Sequence, residues 1–459
     1  MIACANSFSY KACHLIGFIK EGDRKNSKME DTRLELLKLS EPIRESLLKS
    51  NHNPPEGTNV SVKSMFESLL PDRVSEKAIR VEIRDFCLLC AALASAEEAK
   101  ESALLSWVPR ELRTLAVTTF KEVSRVFVSK FSEVELGPRV GEFGLDFDLL
   151  SDEGKLVVEL MPEVLPLLRG NIKESSIDAG DDGDEISDAL ARTPVACAIV
   201  AAHQFRWFVT QVQCPNLGKL CSLVIPCGLV ALDHWSPAVK EQGMISFIHL
   251  TKNVKAAELG FYEDVILDTC CQNIASDDEL WDHVVEMSVL LLTLIQRKNP
   301  RSPWFEKIMN EMLGHLERQP RNKGRYTAWL ELIDPVFECM GLVLLAHFRR
   351  IFPLLLHWVH SDDDKIVLLV LEKIHIIIKL TWIRKSPYVG RLIDELIVTY
   401  KEASLRRQRE DIRNEVLQIL LLLQKCKGLQ FEAAWNKHKD DPNLTALAPA
   451  FCTESTAVV

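Results

Sequence analysis

Apolar residues recur at every third or fourth position along nearly the whole chain, and this spacing restricts the fold more than any other feature. Between Pro109 and Phe131 the recurring apolar residues are Leu112, Leu115, Ala116, Phe120, Val123, Val126 and Phe127. Such spacing lines one face of an α-helix. Strict alternation of apolar and polar residues, the period of a half-buried strand, is almost absent. We therefore expect an all-α fold.

Short polar breaks divide the chain into helical blocks. Helices are predicted near 31–50, 60–70, 75–108, 109–131, 153–169, 194–212, 219–232, 237–252, 260–273, 277–297, 303–316, 326–333, 335–360, 365–382, 387–404 and 406–425. The breaks at 53–57, 298–303, 319–324 and 361–364 are rich in Pro, Gly, Asn or Asp, as turns are. Helices of this length joined by short turns indicate stacked antiparallel pairs.

Length then decides between one core and a repeat. The chain has 459 residues, whereas a single hydrophobic core stops growing near ~250–300 residues. Two segments follow one plan, in which a proline inside an apolar helix (Pro226, Pro353) precedes an acidic turn (Asp233, 362–364) and a second apolar helix. A helix–turn–helix unit of about 40 residues is typical of HEAT and armadillo repeats. We predict an α-solenoid of stacked antiparallel helix pairs, with roughly eight to ten units.

The same pattern predicts five regions. Residues 1–28 are expected to form a disordered N-terminal extension, and 29–169 an N-terminal helical region. Residues 170–192 contain the acidic run 178–185 and are expected to form a flexible linker. HEAT-like repeats are predicted over 193–435, and a disordered tail over 436–459.

Composition narrows the class of partner and the compartment. The chain has 55 Lys and Arg against 65 Asp and Glu, a formal net charge of -10. It therefore lacks the excess of basic residues that is typical of a nucleic-acid-binding protein. No charge-free apolar run reaches the ~18 residues that cross a bilayer. The 13 cysteines are scattered through apolar stretches, as reduced thiols are. We expect a soluble intracellular protein, in the cytoplasm, with a nuclear location left open.

Motifs that carry chemistry are mostly absent. The chain has no Gly-x-Ser-x-Gly, His-Glu-x-x-His or strand-linked Gly-x-Gly-x-x-Gly. The glycine-rich stretch 137–144 is interpreted as a turn in preference to a phosphate cradle. The Cys87–Cys90 spacing suits a redox or zinc site, but it lies in an apolar helical run, so we predict packing. The same holds for Cys270 and Cys271.

One cluster invites a metal-site hypothesis. His357 and His360 share a helix face and precede three aspartates at 362–364, which supply imidazole and carboxylate ligands. The interpretation that we favour is a helix end whose aspartates cap the next helix. The acidic run fails as a calcium loop, because Gly180 and Ala189 fall where oxygen ligands are required. A solvated spacer is favoured there over a phosphorylation or docking loop that includes Ser175.

Basic and aromatic residues offer further candidates. Two basic clusters, Arg318, Arg321, Lys323 and Arg325, then Arg406, Arg407, Arg409 and Arg413, are interpreted as solvated helix faces in preference to a phosphate-binding groove. Tryptophans are expected to pack mainly between repeats, and exposed ones to be partner anchors; they include Trp235, Trp304, Trp329, Trp358, Trp382 and Trp435.

A stretch of the chain, about 220–423, resembles a known family. Its core runs from Ile225-Pro226 to Leu232-Asp233 and continues to Pro237, Lys240 and Gly243. The block 260–271 and a leucine-rich helix at 289–295 follow in the order that the family shows. These features resemble the Tti-two family, the Tel-two-interacting protein two subunit of the Triple-T complex. The sequence departs from the pattern at His234-Trp235, where a second acidic residue is expected.

The resemblance implies a non-enzymatic solenoid subunit without cofactor or metal. It implies assembly with Tti-one and Tel-two type proteins, and action with the ninety-kilodalton heat-shock chaperone to stabilise phosphatidylinositol-3-kinase-related kinases. Pro226, Asp233, Pro237, Lys240 and Gly243 correspond structurally, and no catalytic residue is carried over. Two alternatives stay open, a HEAT-repeat adaptor for nuclear transport or trafficking and an enzyme that uses the His357 and His360 cluster.

Overall fold

A computed structural model describes residues 30–50, 61–72, 77–96, 104–130, 143–175, 194–382, 384, 386–445, 447 and 451. These residues form α-helices and short 3-10 helices, and none of them is in a strand. The chain divides into two compact units, Met1–Leu259 and Gly260–Val459, here called unit 1 and unit 2. The prediction of an all-α solenoid built from antiparallel helix pairs is confirmed.

Unit 1 is a stack of helices that bury their apolar faces against one another. They are α1 (30–49), α2 (Val62–Ser68), α3 (Ile79–Ser95), α4 (Arg110–Lys130), α5 (Asp152–Glu174), α6 (Val195–Thr210), α7 (Asn216–Lys219), α8 (Cys221–Leu232), α9 (Pro237–Asn253) and α10 (Ala256–Leu259). Helix α6 lies at the centre, because it packs against α3, α5 and α9. Accordingly α6 buries residues on all sides, as a helix surrounded by others must.

Unit 2 has two layers of helices. Its elements are α11 (Glu263–Asn273), α12 (Trp281–Gln296), α13 (Pro303–Arg318), α14 (Lys323–Leu332), α15 (Asp334–Met340), α16 (Phe348–Trp358), α17 (Asp364–Thr381), α18 (Val389–Glu402), α19 (Arg409–Lys427) and α20 (Leu429–Trp435). Layer A contains α11, α13, α16, α18 and α20, and layer B contains α12, α14 with α15, α17 and α19. Each layer A helix leads into a layer B helix that packs on the next pair.

This arrangement gives unit 2 two edges. Layer A helices end, and layer B helices begin, at the turn edge, which we define as the connections 274–280, 319–322, 359–363, 403–408 and 436–441. Layer B helices end, and layer A helices begin, at the loop edge, which we define as 260–262, 297–302, 341–347, 382–388 and 428. Gly341 and Gly428 have φ of 52° and 43° there, a region that favours glycine.

The structure moves three predicted boundaries. Helix α5 runs to Glu174, past the predicted end at 169, because Ile172 continues the buried face of Leu165 and Leu168. The remainder of the predicted linker, 176–192, lies outside the described residues, as do 1–28. The tail is described to 445, and Leu444 is 2% exposed. The two units meet at 259–260, inside the region that was predicted as one run of repeats.

One described stretch, Asp334–Trp358, is long and apolar enough to cross a membrane by length and composition, with a mean hydropathy of 1.6. Half of that stretch is buried in the protein. It is also broken at Gly341 into α15, a 3-10 segment and α16. A core helix passes the same test, and we interpret the stretch as core.

Helices α8 and α9 approach closely because each presents a glycine to the other. A Cβ at Gly228 would lie 2.7 Å from Phe247 Cε2, and one at Gly243 would lie 3.1 Å from Ala231 Cβ. Gly243, one of the five predicted motif residues, therefore has a packing role.

We expect Gly228→Ala to lower the free energy of unfolding by about 1–3 kcal/mol, because the added methyl group displaces the buried Phe247 ring. Gly390→Ala is the matched control, since no atom lies within 4 Å of its added Cβ, and it should be neutral or stabilise by up to about 1 kcal/mol. Urea unfolding followed by circular dichroism measures both. Equal midpoints for Gly228→Ala and wild type would contradict the close approach.

Candidate functional site

The turn edge of unit 2 changes the sign of its charge from one repeat to the next. The acidic turns carry Asp277, Asp278 and Glu279, then Asp362, Asp363 and Asp364; the basic turns carry Arg318, Arg321, Lys323 and Arg325, then Arg406, Arg407 and Arg409. Turns of opposite sign are neighbours in the stack, so their side chains can pair across it.

Arg325 is the most buried of the basic residues in these pairs. Its Nε donates to Asp278 Oδ1 over 2.5 Å and its Nη2 donates to Ser276 O over 3.2 Å. The guanidinium carbon lies 4.7 Å from the centroid of the Trp281 ring, a cation–π distance. The side chain of Arg325 is 7% exposed and that of Asp278 59%. The hydrogen bond from Arg325 lowers the pKa of the Asp278 carboxyl.

The next turns continue the series. Lys323 Nζ lies 2.7 Å from Asp363 Oδ2, and Arg406 Nη1 lies 3.2 Å from Asp364 Oδ1. Asp363 Oδ1 also accepts from Lys365 N over 2.9 Å, so the prediction that this aspartate run caps the next helix is confirmed.

The two basic clusters differ from the prediction of solvated helix faces. Arg325 and Arg406 are mostly buried in ion pairs with the preceding repeat, because an acidic turn lies directly beneath each. Arg318, Arg321 and Arg407 are exposed, as predicted. The signal for this pairing was present in the sequence, since acidic and basic turns alternate along it.

His357 and His360 do not come together as a metal site. His357 is exposed. His360 lies between two carboxylates of α18, with Nδ1 3.0 Å from Glu402 Oε2 and Nε2 3.1 Å from Glu395 Oε2. The two ring nitrogens point to different partners, so the histidine links two repeats. Within the described ranges no group of three His, Cys, Asp or Glu side chains is arranged to hold a metal ion.

Layer B has a buried charge of its own. Lys373 is 1% exposed, and its Nζ lies 2.6 Å from Asp334 Oδ2 and 3.2 Å from Glu372 Oε2. Burial raises the pKa of the Asp334 carboxyl, and the hydrogen bond from Lys373 opposes that rise. The contact joins α15 to α17.

The predicted motif lies in unit 1 at the turn between α8 and α9. Pro226 is inside α8, Pro237 is the first residue of α9, and Lys240 is in the first turn of α9. Asp233 is exposed and does not cap α9, contrary to the general expectation for acidic turns. Ser236 is the N-cap residue of α9 and makes no side-chain cap hydrogen bond. The turn before it is closed by His234, whose Nδ1 accepts from Ser236 N over 3.0 Å.

His234 is 1% exposed and ties this turn to the end of α5. Because its Nδ1 accepts a backbone N–H, its ring proton is on Nε2 and is donated to Ser175 Oγ, 3.0 Å away. Trp235 Nε1 donates to Ser175 O over 3.3 Å. His234 and Trp235, which depart from the family pattern, therefore connect the turn between α8 and α9 to the end of α5. Burial lowers the pKa of His234, and the charge of Lys240 adds to this.

The Ser175–His234 contact is not arranged for nucleophilic catalysis. A base must accept the serine proton, whereas Nε2 of His234 already carries a proton. The Ser175 hydroxyl donates to Ile172 O over 3.2 Å instead. Ser175 is also 2% exposed, so the phosphorylation hypothesis fails for this residue in the folded state.

The cysteine predictions are confirmed. Cys87, Cys90, Cys270 and Cys271 are free and buried. Burial raises the pKa of each thiol, that of Cys271 to about 11. These thiols are therefore protonated and unreactive at neutral pH.

Two sequence candidates fall wholly or partly outside the described residues: all of the acidic run 178–185, and residues 137–142 of the glycine-rich stretch 137–144. Among the tryptophans, Trp329 and Trp358 pack between repeats as expected. Trp235 and Trp382 are each 54% exposed.

Unit 1 contains a cleft of about 670 Å³ lined by residues of α1, α2 and α3. Its buried carboxylates are already paired. Glu82 accepts from Arg33 over 2.9 Å, and Asp85 from Lys77 over 3.0 Å. The cleft therefore offers no uncompensated charge at its base.

Comparisons with known proteins give one close relative. No protein-family model matches the chain. The chain is 53% identical over 431 residues to "Uncharacterized protein At2g39910" of Arabidopsis thaliana, which covers 94% of this chain and 97% of that protein. The chain belongs to the At2g39910 family.

A second relative is distant. Human "TELO2-interacting protein 2" is 23% identical over 247 residues, covering 49% of this chain and 48% of that protein. The chain thus matches about half the length of the human protein. This likeness agrees with the resemblance to the Tti-two family.

Solved structures show similar helical stacking. Kap121p has a TM-score of 0.42 at 10% identity, covering 90% of this chain and 47% of that one. Importin beta has a TM-score of 0.43 at 9% identity, covering 88% and 49%. At these values the likeness carries no information on function.

We expect Arg325→Ala to lower the free energy of unfolding by about 1–3 kcal/mol, because it removes the stacking on Trp281 and leaves Asp278 without its partner. Arg321→Ala, at an exposed position in the same turn, should stay within about 0.5 kcal/mol of wild type. Denaturant unfolding compares them. If the two variants unfolded at the same midpoint, the inter-repeat role of Arg325 would be wrong.

A second expectation concerns pH. His203, 5% exposed in α6, has its pKa lowered by burial to about 4 from 6.5. The unfolded chain therefore binds this proton below pH 6.5 and the folded chain does not, so stability is lost as pH falls from 6.5 towards 4. The loss is at most about 1.4 kcal/mol per pH unit for this residue.

His203→Gln should reduce that pH dependence, and His357→Gln, at an exposed position, should leave it unchanged. Unfolding midpoints between pH 7 and 4.5 provide the measurement. Parallel pH curves for wild type and His203→Gln would contradict the assignment.

Proposed function

We propose that the protein is a non-enzymatic scaffold subunit of a Triple-T-type complex that binds Tel-two and Tti-one type partners. The observation that carries the proposal is the likeness to human TELO2-interacting protein 2 over 247 residues. That protein's name states an interaction with TELO2. The order of the motif residues from Pro226 to Gly243 supports the same assignment.

The physical character of the chain fits a scaffold. A helical solenoid exposes a long surface for its size and forms no enclosed catalytic pocket by itself. The one Ser–His contact discussed above has the wrong tautomer for catalysis, and His360 is occupied in linking repeats. Through its partners the chain would act with the heat-shock chaperone in maturing phosphatidylinositol-3-kinase-related kinases, in the cytoplasm and, where those kinases act, the nucleus.

Co-expression tests the proposal directly. The full chain, produced together with the Tel-two and Tti-one type proteins of the same organism, should elute with them as one complex in size-exclusion chromatography. Depleting the chain in cells should lower the amounts of the kinases while their messenger RNAs stay constant. Separate elution together with unchanged kinase levels would rule the proposal out.

The same purification distinguishes the alternative. In affinity purification of the tagged chain, an adaptor for nuclear transport would co-purify with a GTP-bound small nuclear-transport GTPase in place of the two solenoid proteins. A purification from cells that express the tag alone is the control for both outcomes.

A further inference from the structure

Exposed large apolar side chains of unit 2 gather along the loop edge. Phe261, Leu342, Trp382 and Leu429 are 85%, 42%, 54% and 83% exposed. Each lies in, or directly after, a different connection of that edge, and positions 342, 382 and 429 are roughly one repeat apart. We call these four residues the apolar row.

Contacts between neighbouring connections show that the edge is continuous. Trp304 Nε1 donates to Asp264 Oδ1 over 3.0 Å, which joins the starts of α11 and α13. The rings of Phe352 and Tyr388 stack 5.0 Å apart between α16 and the start of α18. Lys427 Nζ donates to Trp382 O over 3.0 Å, which places the connection after α19 beside the one after α17.

Basic residues accompany the row. The connections 297–302, 341–347 and 382–388 contain Arg297, Lys298, Arg301, Arg384 and Lys385 and no Asp or Glu. Over the described part of the chain, the first four of these are exposed and make no ion pair. The connection 260–262 differs, because Glu263 and Asp264 directly follow it. The connections 297–302 and 382–388 are therefore locally positive in a chain with a net charge of -10.

A row of single exposed apolar residues is common on protein surfaces. Here the row is distinguished by its recurrence at three successive connections, 341–347, 382–388 and 428, and by the unpaired positive charges in 297–302 and 382–388. At the turn edge, Lys323, Arg325 and Arg406 pair between repeats, and the exposed arginines there lie beside acidic turns. The positive charges of the connections 297–302 and 382–388 are available to a partner of the opposite sign.

We propose that the loop edge of unit 2 is a docking surface for an acidic segment of a partner protein, whose apolar side chains contact Leu342, Trp382 and Leu429. A few anchor residues, most often Trp, Tyr or Arg, supply most of the affinity of such contacts, so Trp382 is expected to be the main anchor. The arginines select the sign of the partner and speed its association. The inference depends on the proposed function only in requiring a protein partner, and it holds for any identity of that partner.

Site-specific cross-linking in cells of the source organism tests the placement. The full chain carries p-benzoylphenylalanine at position 342, 382 or 429, and at position 405 as the matched control, because Leu405 is 93% exposed on the turn edge. We expect the three row positions to cross-link to one contiguous segment with an excess of Asp and Glu, identified by mass spectrometry, and position 405 not to do so.

Other outcomes overturn the inference. The inference is wrong if none of the three row positions cross-links, or if position 405 cross-links to the same segment. It is also wrong if the cross-linked segment is neutral or basic, or if it is the acidic run 178–185 of the chain itself. If the acidic segment belongs to a protein other than the Tel-two and Tti-one types, the docking surface stands, and the co-expression experiment decides the proposed function separately.

Affinity for the identified segment, synthesised as a peptide, gives the second measurement. Trp382→Ala should weaken the Kd roughly tenfold or more, and Leu405→Ala should leave it within about twofold. Arg297→Glu with Arg301→Glu should weaken binding and flatten its salt dependence, whereas Arg318→Glu with Arg321→Glu on the turn edge should not. Thermal unfolding of each variant shows whether the fold is kept, and equal affinities for edge and control variants would overturn the surface.

Discussion

Each helix pair of unit 2 can bury its apolar faces only against the pairs beside it, and the charged turns fix how those pairs are aligned. Arg325 contacts Asp278 of the preceding repeat, and Arg406 contacts Asp364. The energies divide unequally. An ion pair with a partner as exposed as Asp278 contributes about 0–1 kcal/mol, whereas one fully buried leucine contributes about 1.5–3 kcal/mol. Burial thus stabilises the stack, and the charges select its alignment.

This division of roles separates the two edges. Lys323, Arg325 and Arg406 at the turn edge pair between repeats, so substitutions of these residues are expected to act first on stability. The described arginines and lysine of the loop edge make no such pair, and Trp382 and Leu429 are 54% and 83% exposed. Exposed apolar side chains and unpaired charges do not stabilise the fold, and a bound partner would cover both. For that reason we propose the loop edge as the partner surface.

Sequence reasoning recovered what depends on local spacing. Helix α4 was predicted at 109–131 and observed at Arg110–Lys130, and the cap formed by Asp363 followed from its position before an apolar helix. It failed where the decisive contact comes from a distant repeat. The burial of Arg325 depends on an aspartate 47 positions earlier, and local composition suggested only a solvated basic helix. Likewise, the end of α5 was set by the buried Ile172, whereas Gly170 and Asn171 suggested a break.

The two copies of the proline–acidic-turn unit show how far a motif can be interpreted. After α16, Asp363 caps α17 and binds Lys323. After α8, Asp233 is exposed, and the buried His234 closes the turn and holds the end of α5 through Ser175. One sequence pattern therefore performs the same geometric task by two different chemistries. It follows that matching motif residues between relatives indicates a shared turn and helix packing, whereas partner choice depends on exposed residues such as Trp382 that the motif does not contain.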